Sequence, residues 1–200
     1  MTTRGWRAAL AALGVFAVGS CASGSDDAAH EAPPRAQNDV CAIFDERPGW
    51  REAMLASSAR WGTPIDVKMA IIWRESSFRA RARPPRVAAN GAILAGYASS
   101  AYGYSQAIDG TWDWYRRESG NRRADRTDFT DAADFVGWYM AKTRSSLGLS
   151  TADAYGHYLA YHEGHTGYRS GRWRAKDWLR GAAGQVARQA KRYREQLRRC

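Results

Sequence analysis

The stretch MAIIWRESSF, residues 69–78, decides the fold, because it is the most apolar helix-like run in the chain and ends with a carboxylate. If residues 64–78 form one helix, Val67, Ile71 and Glu75 share a single i, i+4, i+8 row. Glu75 then continues a row of core side chains, where an acid is out of place. The pattern predicts a half-buried carboxyl group at the end of a core helix.

The position of Glu75 also predicts a raised pKa. Burial disfavours a charged carboxyl group, and the unpaired carbonyls and negative dipole end of a last helical turn disfavour it further. A carboxylic acid that stays protonated near neutral pH can protonate a leaving oxygen, and cleavage of glycosidic bonds is a common use of one. The alternative is a solvated carboxylate at a frayed helix end, paired with Arg74 or Arg79.

Helical periodicity continues through the chain and predicts an all-α domain without a convincing period-2 strand. Residues 79–102 are predicted to form a loop, because Pro84 and Pro85 exclude a helix there. The four arginines of this loop either orient carboxylates of a substrate or form a solvated loop tip. The predicted helices cover residues 49–61, 64–78, 104–108, 111–118, 131–146, 151–162 and 176–199.

Polar residues, proline and glycine mark the predicted helix boundaries. Thr63, Thr130 and Ser150 are predicted N-caps, because their hydroxyls can accept a hydrogen bond from the first turn. Pro64 is predicted as the first residue of its helix, where its missing N–H costs nothing. Gly164 fits a helix end.

The first 20 residues predict a targeting segment. Two arginines precede an uncharged, largely apolar stretch at residues 8–18, which is too short for an ordinary membrane span. Residues 18–21, Val-Gly-Ser-Cys, resemble a bacterial lipobox, in which the cysteine becomes the lipidated first residue of the mature protein. The alternative is an ordinary secretory signal in which Cys21 is incidental.

Lipidation of Cys21 predicts a domain plan and a location. Residues 21–39, rich in Ala, Ser, Asp and Pro, are expected to be a flexible tether, and residues 40–200 a single domain. Residues 22 and 23 are Ala-Ser and lack the aspartate that retains many lipoproteins at the inner membrane. We therefore expect a lipid-anchored protein of the cell envelope, in the outer membrane and facing the periplasm.

The chain contains three cysteines. If Cys21 carries lipid, Cys41 and Cys200 remain at opposite ends of the predicted domain. An exported pair favours a disulfide between them, and the alternative is two thiols.

The formal net charge is +10 at pH 7, and removal of the two arginines of the targeting segment leaves +8. Such a charge favours an anionic partner, and nucleic acid is the usual inference. An exported, lipid-anchored protein rarely meets nucleic acid, whereas cell wall and membrane headgroups surround it. The expected location therefore argues against nucleic acid more strongly than the net charge argues for it. We do not expect nucleic acid to be the partner.

Three short motifs occur in a distinctive order. They are Glu75-Ser76, then GYSQ at residues 103–106, then AYHEG at residues 160–164. In order and spacing they resemble the Glu-Ser pair, the Gly-Leu-Met-Gln turn and the Ala-Tyr-Asn-Ala-Gly helix end of the soluble-lytic-transglycosylase-like lysozyme superfamily. The resemblance covers about residues 49–164 and implies a lysozyme-like (SLT-type) helical fold.

The resemblance also implies an activity and roles for the matched residues. The family cleaves the bond between N-acetylmuramic acid and N-acetylglucosamine in peptidoglycan, forms a 1,6-anhydro ring and uses neither a metal nor a cofactor. Glu75 is then the general acid and base, and Tyr161 orients it and stabilises developing charge. Residues expected to bind or position the saccharide are Ser76, Ser77, Tyr104, Ser105, Gln106, His162 and Glu163.

Four matched positions depart from the family patterns. Tyr104 and Ser105 replace an apolar pair, His162 replaces asparagine and Glu163 replaces alanine. A second carboxylate in the cleft favours an alternative, a muramidase that adds water; Asp109 is a weaker candidate for that role.

Glu163 has a simpler interpretation, in which it lies in solvent or pairs with an arginine of residues 79–86. A zinc site is not expected, because His162 and His165 lack the i, i+4 spacing of a metalloprotease helix. A further alternative is a noncatalytic lipoprotein that binds peptidoglycan and recruits other cell-wall proteins.

Overall fold

The computed structural model describes residue 1, residues 32–89 and residues 93–200. Within these residues it is mostly helical, which confirms the all-α prediction. None of the helices described there is both long and apolar enough to cross a membrane. Residues 2–20 of the predicted targeting segment and the predicted lipidation site, Cys21, lie outside the described residues. The elements are α1 (Val40–Glu46), α2 (Pro48–Trp61), α3 (Ile65–Ser76), β1 (Arg86–Ala89), β2 (Ile93–Tyr97), α4 (Asp109–Ser119), α5 (Phe129–Leu147), α6 (Ala154–Arg169), a 3-10 helix (Arg172–Ala175) and α7 (Asp177–Gln196).

Helix α3 lies at the centre of the domain, packed against α7, α5 and α2. A helix that is apolar on most sides must be covered by several neighbours. Accordingly, Val67 and every residue from Met69 to Ile72 have no exposed surface. The predicted row of Val67, Ile71 and Glu75 therefore runs along the core and brings Glu75 to its edge.

Two buried charged residues fix the first half of α3. Asp66 lies in the first turn, where the helix dipole favours a negative charge, and its Oδ2 accepts a hydrogen bond of 2.7 Å from Nε of Arg194 in α7. Lys68 is fully buried, and its Nζ donates to the carbonyl of Met54 at 3.0 Å and to Oγ of Ser58 at 2.9 Å. Burial lowers the pKa of Lys68 to about 7. These contacts hold α3 in register with α7 and α2.

Helix α3 ends at Ser76, two residues earlier than predicted. Ser77 and Phe78 both have positive φ, 51° and 59°, in the left-handed region that side chains rarely adopt. The ring of Phe78 is fully buried beside Trp50, with the ring centroids 5.7 Å apart. This burial holds the sharp turn in place, so that Glu75 lies one residue before the end of the helix.

The predicted disulfide between Cys41 and Cys200 is confirmed, with the two Cα atoms 5.9 Å apart. It joins α1 to the end of the chain, beside a hydrogen bond of 3.0 Å from the Val40 N–H to Oε1 of Gln196. Because the bridge encloses 159 residues of sequence, the chain-entropy model gives it about 5 kcal/mol.

The loop prediction for residues 79–102 is wrong in part, since β1 and β2 form an antiparallel hairpin within it. Arg86 pairs with Tyr97 and Val87 with Gly96, and the register shifts between Val87 and Ala88. The strands are short, and apolar and polar residues alternate only weakly along them. The two-residue periodicity of a strand is therefore hard to recognise in this part of the sequence. The sequence signal that predicts a hairpin is Asn90-Gly91, a dipeptide that favours two-residue turns.

The short helix predicted at residues 104–108 is also wrong. The segment is a tight turn, in which Tyr102 and Ala107 form an isolated bridge and Gly103 and Gln106 have φ of 78° and 49°. A Cβ on Gly103 would come within 2.0 Å of the carbonyl oxygen of Arg126. The close backbone contact therefore requires glycine and a left-handed conformation, which a helix cannot supply.

The three predicted N-caps are wrong by one to three residues. Pro64 itself occupies the N-cap of α3, one residue after Thr63. Asp128 caps α5 by accepting from the Asp131 N–H, and Asp153 caps α6 by accepting from the Gly156 N–H. The predicted caps of these two helices were the hydroxyls of Thr130 and Ser150. A nearby carboxylate caps each helix instead, because an anion also interacts favourably with the helix dipole.

Candidate active site

A cavity of about 420 Å³ opens at the end of α3. Its walls come from the end of α3, the segment between β2 and α4, the start of α4, the middle of α5 and the end of the first part of α6. This first part ends at Gly164, whose φ of 69° and ψ of 164° break the helix, as the sequence predicted. The cavity is lined by Glu75, Ser99, Ala101, Gln106, Ala107, Ile108, Thr111, Phe135, Tyr139, Tyr161, His162, Glu163 and Gly164.

Glu75 is the carboxyl group at the α3 wall of this cavity. Protein atoms surround it on most sides, but part of its surface stays open to the cavity. Burial raises the pKa of Glu75 to about 7, while a hydrogen bond from Tyr158 and the charge of Arg74 pull it partly back. A large share of Glu75 is therefore protonated at neutral pH, and the group can both give and take a proton.

Tyr158 is the neighbour that lowers the pKa of Glu75 most. Its hydroxyl interacts with the Glu75 carboxyl, and its ring is buried. Burial and the neighbouring carboxylate both raise the pKa of Tyr158, so its hydroxyl keeps its proton and remains a donor. Glu75 thus has a fixed, uncharged neighbour that holds it without forcing it to ionise.

Tyr161 also lines the cavity, three residues after Tyr158 on α6. Its hydroxyl donates a hydrogen bond of 2.6 Å to the carbonyl of Ser105, and burial raises its pKa well above the ordinary value. The sequence predicts that Tyr161 orients Glu75, but in the structure its hydroxyl is directed to the turn at residues 103–106. Tyr161 therefore ties α6 to that turn and presents its ring to the cavity.

Gln106 reaches the cavity through the same turn. Its Nε2 donates to the carbonyls of Gly103 at 2.8 Å and Ala82 at 2.9 Å. These two bonds use both amide protons and fix the side chain, which leaves the amide oxygen as the group able to accept a hydrogen bond from a ligand.

Glu163 lies at another wall of the cavity, in a cluster of positive groups. Its Oε1 is 2.6 Å from Nζ of Lys176 and 3.2 Å from Nδ1 of His162, and its Oε2 is 3.7 Å from Nε of Arg172. The hydrogen bond from Lys176 is the largest cause that lowers the pKa of Glu163. The sequence predicted an arginine of residues 79–86 or solvent as its partner, whereas the structure pairs it with residues that follow α6.

Four of the predicted saccharide-binding residues lie behind the cavity wall. Ser76 is 1% exposed and donates to the carbonyl of Ile72, and Ser77 forms the left-handed end of α3. The ring of Tyr104 is buried edge-on against Trp50, and Ser105 is fully buried. Ser76 and Ser77 form the end of α3 that follows Glu75, and Tyr104 and Ser105 belong to the turn that leads to Gln106.

The remaining predicted residues, Glu75, Gln106, Tyr161, His162 and Glu163, all line the cavity. Tyr158 was not predicted as a site residue, although it lies three residues before Tyr161 and therefore on the same helix face. Phe135 and Tyr139, which share a face of α5 at i, i+4 spacing, were not predicted either. Burial raises the pKa of Tyr139 to about 12, and its hydroxyl donates to the Ala160 carbonyl at 3.3 Å.

Other sequence candidates lie outside the cavity. Asp109 pairs with Arg126 at 2.7 Å. Arg83 stacks over the rings of Tyr102 and Tyr97, with its guanidinium carbon 3.9 Å and 4.9 Å from their centroids. Within residue 1, residues 32–89 and residues 93–200, His, Cys, Asp and Glu side chains form no group of three or more that could hold a metal ion.

Residues 9–200, nearly the whole chain, match a family model described as "Transglycosylase SLT domain". No curated protein matches the chain.

Proposed function

This chain belongs to the Transglycosylase SLT domain family, and from that premise we propose that it is a murein lytic transglycosylase with Glu75 as its acid and base. Membership implies a function of the lytic transglycosylase type that acts on peptidoglycan. The proposed reaction is cleavage of the β-1,4 bond between N-acetylmuramic acid and N-acetylglucosamine with formation of 1,6-anhydro-N-acetylmuramic acid.

The proposed cycle moves one proton through Glu75. The protonated carboxyl group gives its proton to the glycosidic oxygen as the bond to the muramyl C1 breaks, and N-acetylglucosamine leaves with that proton on its 4-hydroxyl. The Glu75 carboxylate then takes the proton of the muramyl 6-hydroxyl, whose oxygen bonds to C1 and closes the anhydro ring. No water is consumed, and Glu75 returns to its protonated form.

The observation that carries this proposal is the pKa of Glu75, which burial raises to about 7 in a cavity that a ligand can enter. A group with that pKa is effective both as an acid and as a base near neutral pH. The neutral hydroxyl of Tyr158 also supports the proposal. A cation in its place would keep Glu75 ionised, and Glu75 could then not donate a proton.

The surroundings of Glu163 favour this chemistry over hydrolysis. A hydrolase needs a second carboxylate that activates water or stabilises a glycosyl intermediate. Both oxygens of Glu163 face positive groups, and the contact with Lys176 lowers its pKa. A carboxylate with a lowered pKa is a weak base for activating water. Its two oxygens already face Lys176 and Arg172, so they are engaged away from a glycosyl intermediate, and we assign Glu163 to the wall of the cavity.

Digestion of purified peptidoglycan, followed by identification of the products by mass, tests the proposal. We expect anhydro-muropeptides from the protein, none from Glu75→Gln, and anhydro products again from the control Glu163→Gln. Reducing-end products, which are one water heavier, would contradict the proposal and indicate a muramidase that uses Glu163. Binding to peptidoglycan without products from any of the three proteins would indicate a noncatalytic peptidoglycan-binding protein.

We further propose that the protein acts from a lipid anchor at Cys21 on the outer membrane, facing the periplasm. The support is the lipobox-like sequence at residues 18–21, together with a disulfide that suits an oxidising compartment. Metabolic labelling with a fatty acid should mark the protein and fail to mark Cys21→Ser. Equal labelling of the two proteins, or none of either, would refute the anchor.

A further inference from the structure

Trp178, the second residue of α7, is the most exposed large aromatic side chain in the described part of the chain. It is 59% exposed, whereas the other seven tryptophans there are buried or partly buried. Trp173, five residues earlier, stacks on Tyr168 with the ring centroids 5.8 Å apart. Of these two neighbouring tryptophans, Trp173 is packed against the protein and Trp178 is exposed to solvent.

The exposed ring lies directly outside the candidate active site. Its centroid is 4.9 Å from that of His162, at an interplanar angle of 77°, and His162 lines the cavity. An isolated exposed apolar residue needs no explanation, but one that continues the wall of an active-site cavity marks a place where a ligand can make contact.

The nearest charged side chains form ion pairs. Lys176 and Arg172 are 2.6 Å and 3.7 Å from the carboxylate of Glu163, and Arg180 pairs with Asp177. The indole of Trp178 is the exposed apolar surface beside these pairs. A neutral sugar ring with an apolar C–H face fits such a surface.

We propose that Trp178 is a stacking platform for a neutral N-acetylated sugar ring of the glycan strand, one step outside the cavity. The proposal rests on the proposed function, since it takes the glycan as the substrate. A polymer extends beyond a cavity of about 420 Å³, so its next ring must meet the surface beside the wall. The C–H face of a sugar ring packs on the face of an indole, where the ring quadrupole is negative.

Calorimetric titration with the β-1,4-linked N-acetylglucosamine hexamer tests the platform in the Glu75→Gln background, which cannot cut the probe. We expect Trp178→Ala to raise the Kd about three- to tenfold and Trp178→Phe to stay within about twofold of the parent. Leu55→Ala removes a side chain that is 51% exposed on α2 and should leave the Kd unchanged. The N-acetylglucosamine dimer separates stacking from general damage, because Trp178→Ala should bind it as the parent does.

Three outcomes would overturn the platform: no binding of the hexamer by the parent, an unchanged Kd in Trp178→Ala, or an equal loss of affinity for dimer and hexamer. Digestion of purified peptidoglycan by the wild-type protein tests the proposed function separately from the role of Trp178. Anhydro products together with an unchanged Kd in Trp178→Ala would refute the platform alone. Trp178-dependent hexamer binding without any products would support the platform and refute the lyase.

Discussion

Two glutamates line the same cavity, and their surroundings give them opposite properties. Glu75 lies near the end of a core helix, where burial raises its pKa to about 7 and a neutral tyrosine holds it. Glu163 lies before the break of α6 at Gly164, where Lys176, His162 and Arg172 surround it and its pKa is lowered. The same side chain is therefore suited to act as an acid in one region and is held as a carboxylate near neutral pH in another, according to its neighbours.

The largest expected effect separates the two glutamates by activity. Glu75→Gln removes the proton donor and should lower the rate of peptidoglycan cleavage by about a hundred- to ten-thousandfold, which is the usual contribution of general acid catalysis. Glu163→Gln should keep the rate within about threefold. The release of soluble muropeptides over time measures both variants, and a larger loss in Glu163→Gln than in Glu75→Gln would reverse the assignment.

The pH dependence of activity should follow Glu75 and not Glu163. If protonated Glu75 is the acid, kcat/KM falls about tenfold per pH unit above about 7 and is roughly a hundredfold lower at pH 9. Rates measured on soluble glycan oligomers across pH 5–9 check this. A profile that is flat through pH 7 and falls only below pH 5 would instead report a group with a lowered pKa.

The two glutamates should also affect stability in opposite directions. The folded-state pKa of Glu75 lies above its ordinary value of 4.5, so the protein loses stability as the pH rises from about 4.5 to 7. Glu75→Gln removes this loss and should stabilise the protein at pH 8 by up to about 3 kcal/mol relative to wild type, less where cavity water screens the charge. Urea unfolding at pH 5 and pH 8 measures the difference, and equal stability of the two proteins at pH 8 would contradict it.

Tyr158→Phe should sharpen the comparison by removing the neutral partner of Glu75. The hydrogen bond from Tyr158 lowers the pKa of Glu75, so its loss should move the alkaline limb of the activity profile to higher pH. The rate at pH 7 should fall about tenfold, because the carboxyl group loses its fixed orientation. Tyr168→Phe, on the same helix beyond the break, serves as the control and should leave the profile in place.

The smallest expected effect is the contribution of Glu163 to stability. Because the folded-state pKa of Glu163 is lowered, its ion pairs stabilise the fold at any pH above the unfolded-state pKa. This stabilisation is lost as the pH falls through the folded-state pKa. Its partners Lys176 and Arg172 are 38% and 65% exposed, so water screens these ion pairs and Glu163→Gln should cost about 1 kcal/mol or less at pH 7. Urea unfolding at pH 7 and pH 3 should show the cost at pH 7 alone.

The sequence predicts the Glu75 region well because local rules control it. The i, i+4, i+8 row of Val67, Ile71 and Glu75 requires only that the helix form, and the helix then brings the acid to the edge of the core. The all-α class follows from the same periodicity, and the disulfide between Cys41 and Cys200 was predicted from the number of cysteines and the expected export of the protein.

The Glu163 region is harder to predict, because its partners are tertiary. Lys176 and Arg172 lie beyond the break at Gly164, and no periodic rule relates them to Glu163. The turn at residues 103–106 was missed for a similar reason, since its shape depends on a backbone contact with Arg126. Local signals existed for the hairpin and for Tyr158, but the charges that decide the chemistry of Glu163 come from the folded chain.

The most direct test of this account is the titration of the two carboxyl groups by NMR, with ¹³C-labelled glutamate in the purified protein. Assignment by Glu75→Gln and Glu163→Gln identifies their resonances. The account predicts that the Glu75 carboxyl titrates near pH 7, whereas the Glu163 carboxyl titrates below the ordinary value of 4.5. Titration of Glu75 at or below 4.5 would contradict its role as the acid, and titration of Glu163 near 7 would transfer that role to Glu163.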